Sequence, residues 1–422
     1  MIHVKVLSEI LDICHQLLHD PEFLKRAKTS PTAFTRNRKL SFVDFMLFLI
    51  SGAKNSLQSE LNHFLDMTNR EDQTYSKQAF SRGRQRIRPE AFKELSDTVV
   101  REVYKKAATK TWKTHHLLAI DGSRLNLPIN PALSLEFGEQ ITSGAAQPQA
   151  LCSCLLDVLN GIIVDARLDG CKGNERKHAE DMIRAVDTSL ISNPVFLMDR
   201  GYPSHEMLAM FEQLGQKYLM RCDTTFLKAV RWEGKDTVVT HKFTKAKEPV
   251  QFRLVTVSLP SGEEEFLITN LYDSELTIED FSDLYHQRWG IETRYNDLKG
   301  KLQIENFTGN TPIAVRQDFF ATLYLANLAG VIAIDYRDEI EAIHNISENS
   351  HKYKMNVNLT ISQLKQNVIS LLLCDSDAKQ ALLLTRIARR LKSAVVPARS
   401  GIAFPRKKQH AQSKFPQNRK LP

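Results

Sequence analysis

Apolar residues recur at helical spacing through residues 1–108, punctuated by cap and break signals. Ser41 with Asp44 has the form of a capping box, opening a helix through Phe48 and Ile50 that Gly52 can end. A second start at Ser76 opens S-K-Q-A-F-S-R-G-R-Q-R-I-R, which Pro89 breaks. The period then changes. Residues 117–120 form a short apolar run ending in Asp121-Gly122-Ser123. Residues 150–159 and 162–168 read as strands flanking Asn160-Gly161, a strong short-hairpin signal. A helix over 174–186 follows, then an apolar run over 195–198 ending in Asp199-Arg200-Gly201. A helix over 204–214 leads to a strand at 218–221. This order predicts an α/β fold, a mixed sheet with helices packed on it.

Residues 224–270 return to strand periods. Val250, Phe252 and Leu254 alternate, then Val255, Val257 and Leu259 alternate in the opposite phase, which predicts a bulge. Pro260-Ser261-Gly262 turns the chain into a strand over 265–271. These residues read as a small β insertion. Residues 313–334 form a long apolar helix that approaches membrane length, but flanking acids and an interrupted start make it a core helix. Another helix pattern covers 359–373.

One polar pattern stands out. Residues 285–299 read Y-H-Q-R-W-G-I-E-T-R-Y-N-D-L-K. At roughly 100° per residue, Tyr285, Arg288, Glu292 and Lys299 share one face of a single helix, with Tyr295 just beside them. Their spacing is that of a buried stripe, while Leu284, Ile291, Leu298 and Leu302 form the apolar stripe next to it. A carboxylate, a guanidinium, an ammonium and a phenol on a docked helix are costly unless they face something charged. Phosphate and metal are the expected counterparts.

Composition narrows the class. With 42% hydrophobic and 25% charged residues over 422, the chain reads as a globular protein of two or three domains. The net charge of +8 favours an anionic partner. After Asp377 no acidic residue occurs, while Arg386, Arg389, Arg390, Lys392, Arg399, Arg406, Lys407, Lys408, Lys414, Arg419 and Lys420 follow. Over the last twenty residues a disordered basic tail is expected, able to add phosphate contacts. Lys77, Arg82, Arg84, Arg86 and Arg88 give the second N-terminal helix a wholly basic character, and we expect it to lie along DNA in a helix-turn-helix-like unit. Six scattered cysteines without a C-x-x-C pair point away from zinc and disulfides and toward a reducing cytoplasm. Glu9 and Asp12 interrupt any signal-like run, and no membrane segment is expected.

Asp121 and Asp199 occupy matching places, each delivered by an apolar run and followed by a turn. Adjacent parallel strands would bring the two carboxylates together, too close to ionise cheaply without a cation. Mg²⁺ or Mn²⁺ suits such oxygen ligands, and Glu292 would complete a two-metal site for in-line phosphoryl transfer. His115 and His116 have no partner at ligand spacing, and Asp157 and Asp165 are expected to act only behind the site.

With these motifs in order, the chain resembles the DDE transposases of bacterial insertion sequences, in particular the insertion-sequence-four family with its Y-x2-R-x3-E-x6-K signature. Tyr285, Arg288, Glu292 and Lys299 match it at every spacing, and D-G-S at Asp121 and D-R-G-Y from Asp199 to Tyr202 resemble the other two acidic motifs. The resemblance implies a ribonuclease-H-like core with two Mg²⁺ ions held by Asp121, Asp199 and Glu292. It also implies phosphate contacts from Tyr285, Arg288 and Lys299, and cleavage of element ends, often through a hairpin, with joining to a target. Trp232, in the insertion, would stack on a flipped base. Paired subunits on double-stranded DNA and a cytoplasmic, nucleoid-associated protein follow from the same resemblance. The expected layout is a helical DNA-binding domain over 1–108, the core over 109–223 and 271–340, the β insertion over 224–270, and a C-terminal helix and basic tail over 341–422. The alternatives are a ribonuclease-H-like nuclease without strand transfer and a catalytically silent DNA-binding derivative.

Overall fold

Cap residues written in the sequence set the helix starts. In the computed structural model, which describes residues 6–36, 38–52, 56–142, 145–228, 230–243, 248–259, 261–344, 353–374 and 376–397, Ser41 and Asp44 form the expected capping box, and Ser56 and Ser76 cap the next two helices. The N-terminal helices are α1 Val6–His19, α2 Pro21–Ala27, α3 Phe42–Ile50, α4 Leu57–Met67, α5 Lys77–Arg84 and α6 Glu90–Lys106. The basic helix is shorter than its pattern. It ends at Arg84, and Ile87 instead bridges to Lys28. The connection 68–76 before it is too long for the three- to four-residue turn of a helix-turn-helix.

The middle of the chain builds the sheet. Its elements are β1 Leu117–Asn126, α7 Pro131–Phe137, β2 Glu139–Thr142, β3 Ala145–Asp157, β4 Ile162–Gly170, α8 Glu175–Ala185, β5 Val195–Met198, α9 His205–Leu214, β6 Lys217–Cys222, α10 Thr224–Leu227, β7 Asp236–His241, β8 Val250–Ser258 and β9 Glu264–Thr269. β4, β3 and β1 run antiparallel in that order, and β5 and β6 follow parallel to β1. This is the ribonuclease-H-like arrangement that the resemblance implies. β9, β8 and β7 continue the same sheet antiparallel from β6. The β insertion is therefore an extension of the core sheet.

Two sequence expectations are corrected here. The phase change in β8 is no bulge, because its register with both neighbours is unbroken. Phe252 and Leu254 enter the core on one face of the sheet, Val255 and Val257 that on the other, so both phases are apolar for burial. The hairpin is no two-residue turn either. β3 stops at Asp157, whose carboxylate accepts from the backbone N–H of Leu159 and Asn160 at 3.2 Å each and from Asn160 Nδ2 at 2.8 Å. The resulting four-residue loop puts φ +66° on Gly161.

The remaining elements are α11 Ile278–His286, α12 Trp289–Asn296, α13 Pro312–His344, β10 Tyr353–Met355, α14 Val357–Leu372, α15 Asp377–Ser393 and β11 Val395–Pro397, which pairs with β10. α15 was not legible in the hydrophobic pattern. α13 is the expected core helix: 78% of its most apolar window is buried. Its Asn327 bonds both backbone groups of Ile163 in β4, accepting at 2.8 Å and donating at 2.9 Å. The sheet edge at that point is thereby covered. The N-terminal helices share one apolar core with α13, α14 and one face of the sheet. α8 and α9 cover the other face. Pro260 and the basic residues from Arg399 onward lie outside the described residues.

Candidate active site

The parallel pairing of β1 with β5 positions the two aspartates. Their last paired residues are Ala119 and Leu197. Asp121 and Asp199 each lie two residues further along, so they project from the same face where β5 ends. The carboxylate of Asp121 accepts from the Gly122 N–H at 2.9 Å, and that of Asp199 from the Gly201 N–H at 2.8 Å. Both side chains are half-buried. Burial pushes the Asp121 carboxyl up to about 6; its hydrogen bond to Gly122 opposes this, the Asp199 charge adds to it, Arg288 opposes it and Glu292 adds to it. Asp199, Arg288 and Glu292 thus all act on Asp121.

The polar seam is not one continuous α-helix. Between α11 and α12, residues 287–291 make tight i→i−3 bonds, such as Arg288 N to Tyr285 O at 3.0 Å and Ile291 N to Arg288 O at 3.1 Å. Gly290 sits in this overwound turn, where a Cβ would come within 3.2 Å of Val158. After α12 the chain unwinds into a π-helical turn, Asp297–Lys301, closed by Leu302 N to Asp297 O at 2.9 Å. The apolar stripe survives: Leu284, Ile291, Leu298 and Leu302 are all buried. Arg253 of the insertion strand β8 steadies the start of this unit. It grips Asp236 bidentately at 2.6 and 2.7 Å, donates to the Asp273 and Leu276 carbonyls, and lies over the Phe281 ring.

Each seam residue has a defined place. Arg288 is buried, donates to Glu292 Oε1 at 3.0 Å and lies over the Tyr285 and Trp289 rings. Its Nε is buried without a hydrogen-bond partner among the described residues. Lys299 Nζ donates to the Arg124 carbonyl of β1 at 2.7 Å. Tyr295, unassigned by the signature, has a clear role. Its hydroxyl donates to the Asp121 and Cys152 carbonyls at 2.8 and 3.1 Å, fastening α12 across β1 directly beneath the aspartate.

The basic N-terminal residues divide. Arg84 is corrected: at 1% exposure it is an interior bolt, not a DNA contact. It donates to Asp318 at 2.6 Å, Gln317 at 2.8 Å and the Ala314 carbonyl at 3.1 Å, joining α5 to α13. Lys77, Arg82 and Arg88 are exposed, and Arg86 is half-buried. Arg82 and Arg86 line a cleft of about 650 Å³ with Arg36 and Arg38, which the sequence pattern did not single out. Trp232 is half-buried with its ring edge-on to Phe266 at 5.9 Å. Asp165 pairs with Lys93 and Arg167 at 3.1 and 2.8 Å, and His115 and His116 bond the Asn193 and Ser192 carbonyls. Trp289, exposed beside Glu292, and Glu175 are site neighbours that sequence reasoning passed over, and Tyr202 entered it only as the last residue of D-R-G-Y.

The family sequence model described as "Transposase DDE domain" matches residues 112–328, just over half of the chain. The chain belongs to the DDE transposase family. It is 25% identical over 342 residues, 73% of its own length and 74% of the relative's, to the transposase InsG for insertion sequence element IS4 of Escherichia coli (strain K12). The insertion-sequence-four reading of the Y-x2-R-x3-E-x6-K signature therefore stands. A structural comparison with the piggyBac transposase synaptic complex with hairpin DNA gives a TM-score of 0.47 at 11% identity, covering 90% of this chain and 85% of that one.

As a donor set for a divalent ion, this DDE transposase offers carboxylates on three separate elements, which suits hard cations. Among the described residues no three such groups are yet drawn to ion-holding distance. Glu292 is turned to Arg288 instead. The set suits a hard divalent ion in the chemistry of its donors.

Proposed function

We propose that this transposase binds the terminal inverted repeats of an insertion sequence, cleaves the element ends by phosphoryl transfer and joins the 3′ ends to target DNA. The observation that carries the proposal is the in-register delivery of Asp121 and Asp199 by neighbouring parallel strands, with Glu292 acting on Asp121. Asp121, Asp199 and Glu292 would hold two Mg²⁺ ions, with Mn²⁺ as a substitute. When bound, the ions supply Lewis-acid stabilisation of the attacking and leaving oxygens. The chain's own cations do the positioning. Released from Glu292, the Arg288 guanidinium would turn to a phosphate oxygen, backed by the Tyr285 ring. Lys299, at the π-helical turn, sits beside β1 where a strand of DNA would pass the aspartates. Release of Glu292 from Arg288 serves both partners at once: the carboxylate turns to the aspartates and the guanidinium turns to phosphate.

In the same proposal Lys77, Arg82, Arg86 and Arg88 meet the duplex away from the reacting centre, and Trp232 stacks on an unpaired base. The active form is a homodimer holding two element ends. The test is end cleavage and strand transfer on duplexes carrying the inverted repeat, with and without Mg²⁺. Asp121→Asn, Asp199→Asn and Glu292→Gln should each abolish both reactions and leave DNA retention in a gel shift intact. Cleavage that persists in these variants sinks the site. Cleavage without joining of a pre-cut 3′ end would reduce the protein to a nuclease.

A further inference from the structure

Glu175 opens α8, on the face of the sheet opposite α12, and its carboxylate lies over Gly122, the residue after Asp121. A Cβ on Gly122 would stand 2.6 Å from the Glu175 carboxyl carbon and 2.8 and 2.9 Å from its oxygens. A side chain at 122 would push the end of Glu175 aside. Glycine there leaves room for a carboxylate. The start of α8 is fastened from three sides. Arg176 Nε donates to the Gly201 carbonyl at 2.8 Å, tying it to the turn after Asp199. His178 Nδ1 and Ser153 Oγ lie 2.9 Å apart, tying it to β3, where Ser153 pairs with Gly122. The Asn174 side chain caps it from the Lys177 N–H at 3.2 Å.

Two further acids of α8 have a cationic neighbour: Lys177 reaches Asp181 at 2.8 Å and Glu180 at 3.8 Å. Glu175 pairs with no cation among the described residues. An independent sign lies next to it. Tyr202 is 2% exposed, and its hydroxyl is buried with no hydrogen-bond partner among the described residues. Burial, then the charges of Asp121, Glu175 and Asp199, all hold that hydroxyl in its protonated form. A buried donor that feels three carboxylates yet is bonded to none is costly. It is satisfied if something draws a carboxylate inward.

We infer that Glu175 is a fourth carboxylate of the active site, reaching a divalent cation from the face of the sheet opposite Glu292, with Tyr202 as the positioning residue that donates to the gathered carboxylates. This rests on the phosphoryl-transfer reading of the site. Gly122 belongs to the same arrangement, since any larger residue displaces Glu175.

The experiment is a titration of the full-length protein with Mn²⁺ alone, following free Mn²⁺ by electron paramagnetic resonance, with circular dichroism as the fold control. Glu175→Gln should weaken binding about tenfold or remove one ion, with an unchanged spectrum. Tyr202→Phe should show a smaller loss in the same direction. Asp121→Asn separates this inference from the reading beneath it. If Asp121→Asn loses Mn²⁺ while Glu175→Gln binds the same number of ions with the same affinity, Glu175 is no ligand and the inference falls alone. If neither variant changes binding, no cation sits here and both fall.

Discussion

A single proton on Asp121 links the site to stability. The folded carboxyl titrates at about 6, above its ordinary 3.8, chiefly because it is buried. Below pH 3.8 the group is neutral whether folded or unfolded and adds no cost. As pH rises toward 6 the unfolded chain ionises first, so stability is lost across that window and the loss is complete above 6. Asp121→Asn removes the charge and should raise the melting temperature in metal-free buffer at pH 7. The gain, on the order of 3 kcal/mol, should shrink to a small fraction near pH 4. Thermal melts across pH decide it, and an equal gain at both ends would refute the burial account. Since a ligand must be deprotonated, Mn²⁺ affinity should also fall as pH drops below 6. Arg84 makes a second residue-scale case. Arg84→Ala leaves Asp318 buried without its partner and should cost about 3–5 kcal/mol in denaturant unfolding. Arg82→Ala and Arg86→Ala should instead leave stability near unchanged and each lower the salt slope of DNA binding by about 1.

Between elements, close approach matters more than propensity. The loop after Asp157 is wedged between α12 and α13, with Gly290 against Val158 and Gly330 against Gly161. A Cβ at Gly330 would meet the Gly161 carbonyl oxygen at 2.9 Å and Ile162 at 2.7 Å. Alanine at a helix interior normally gains about 1 kcal/mol over glycine. Gly330→Ala should nevertheless destabilise, by roughly 1–3 kcal/mol, and a gain in stability would show that the wedge yields. This scale also separates what the sequence could reveal. Caps at Ser41 and Ser76 were legible because capping is local chemistry, and those the structure adds at Asn174 and Thr277 are of the same kind. The apolar stripe was legible because a helix face has a fixed period, and Asp199 because it follows a short apolar strand. Asp121, expected at a strand end before a turn, lies inside β1, which runs on paired with β3 to Asn126. Arg84 was misread because a run of arginines looks the same whether it faces solvent or finds Asp318 far along the chain. The kink and the π-helical turn around Glu292, and Glu175 over Gly122, were hidden for the same reason. They depend on contacts between segments that no spacing records.

At the scale of the whole molecule, the first helices have no core to themselves. Leu7 N donates to Asp335 at 2.8 Å, Ser8 bonds Gln380 at 2.6 Å, and Gln380 bonds Asp12 at 3.0 Å. Arg84 and Asn327 add bonds of the same reach. Residues 1–108 expressed alone should show no cooperative unfolding transition, and a sharp melt of that fragment would contradict the shared core. The dependence has a consequence in time. At a synthesis rate of about 5–20 residues per second, roughly twenty to eighty seconds separate the appearance of α1 at the ribosome from that of α15. Through that interval the N-terminal helices wait beside the ribosome with their apolar faces exposed. A chain cut short before α13 would therefore leave no stable N-terminal fragment.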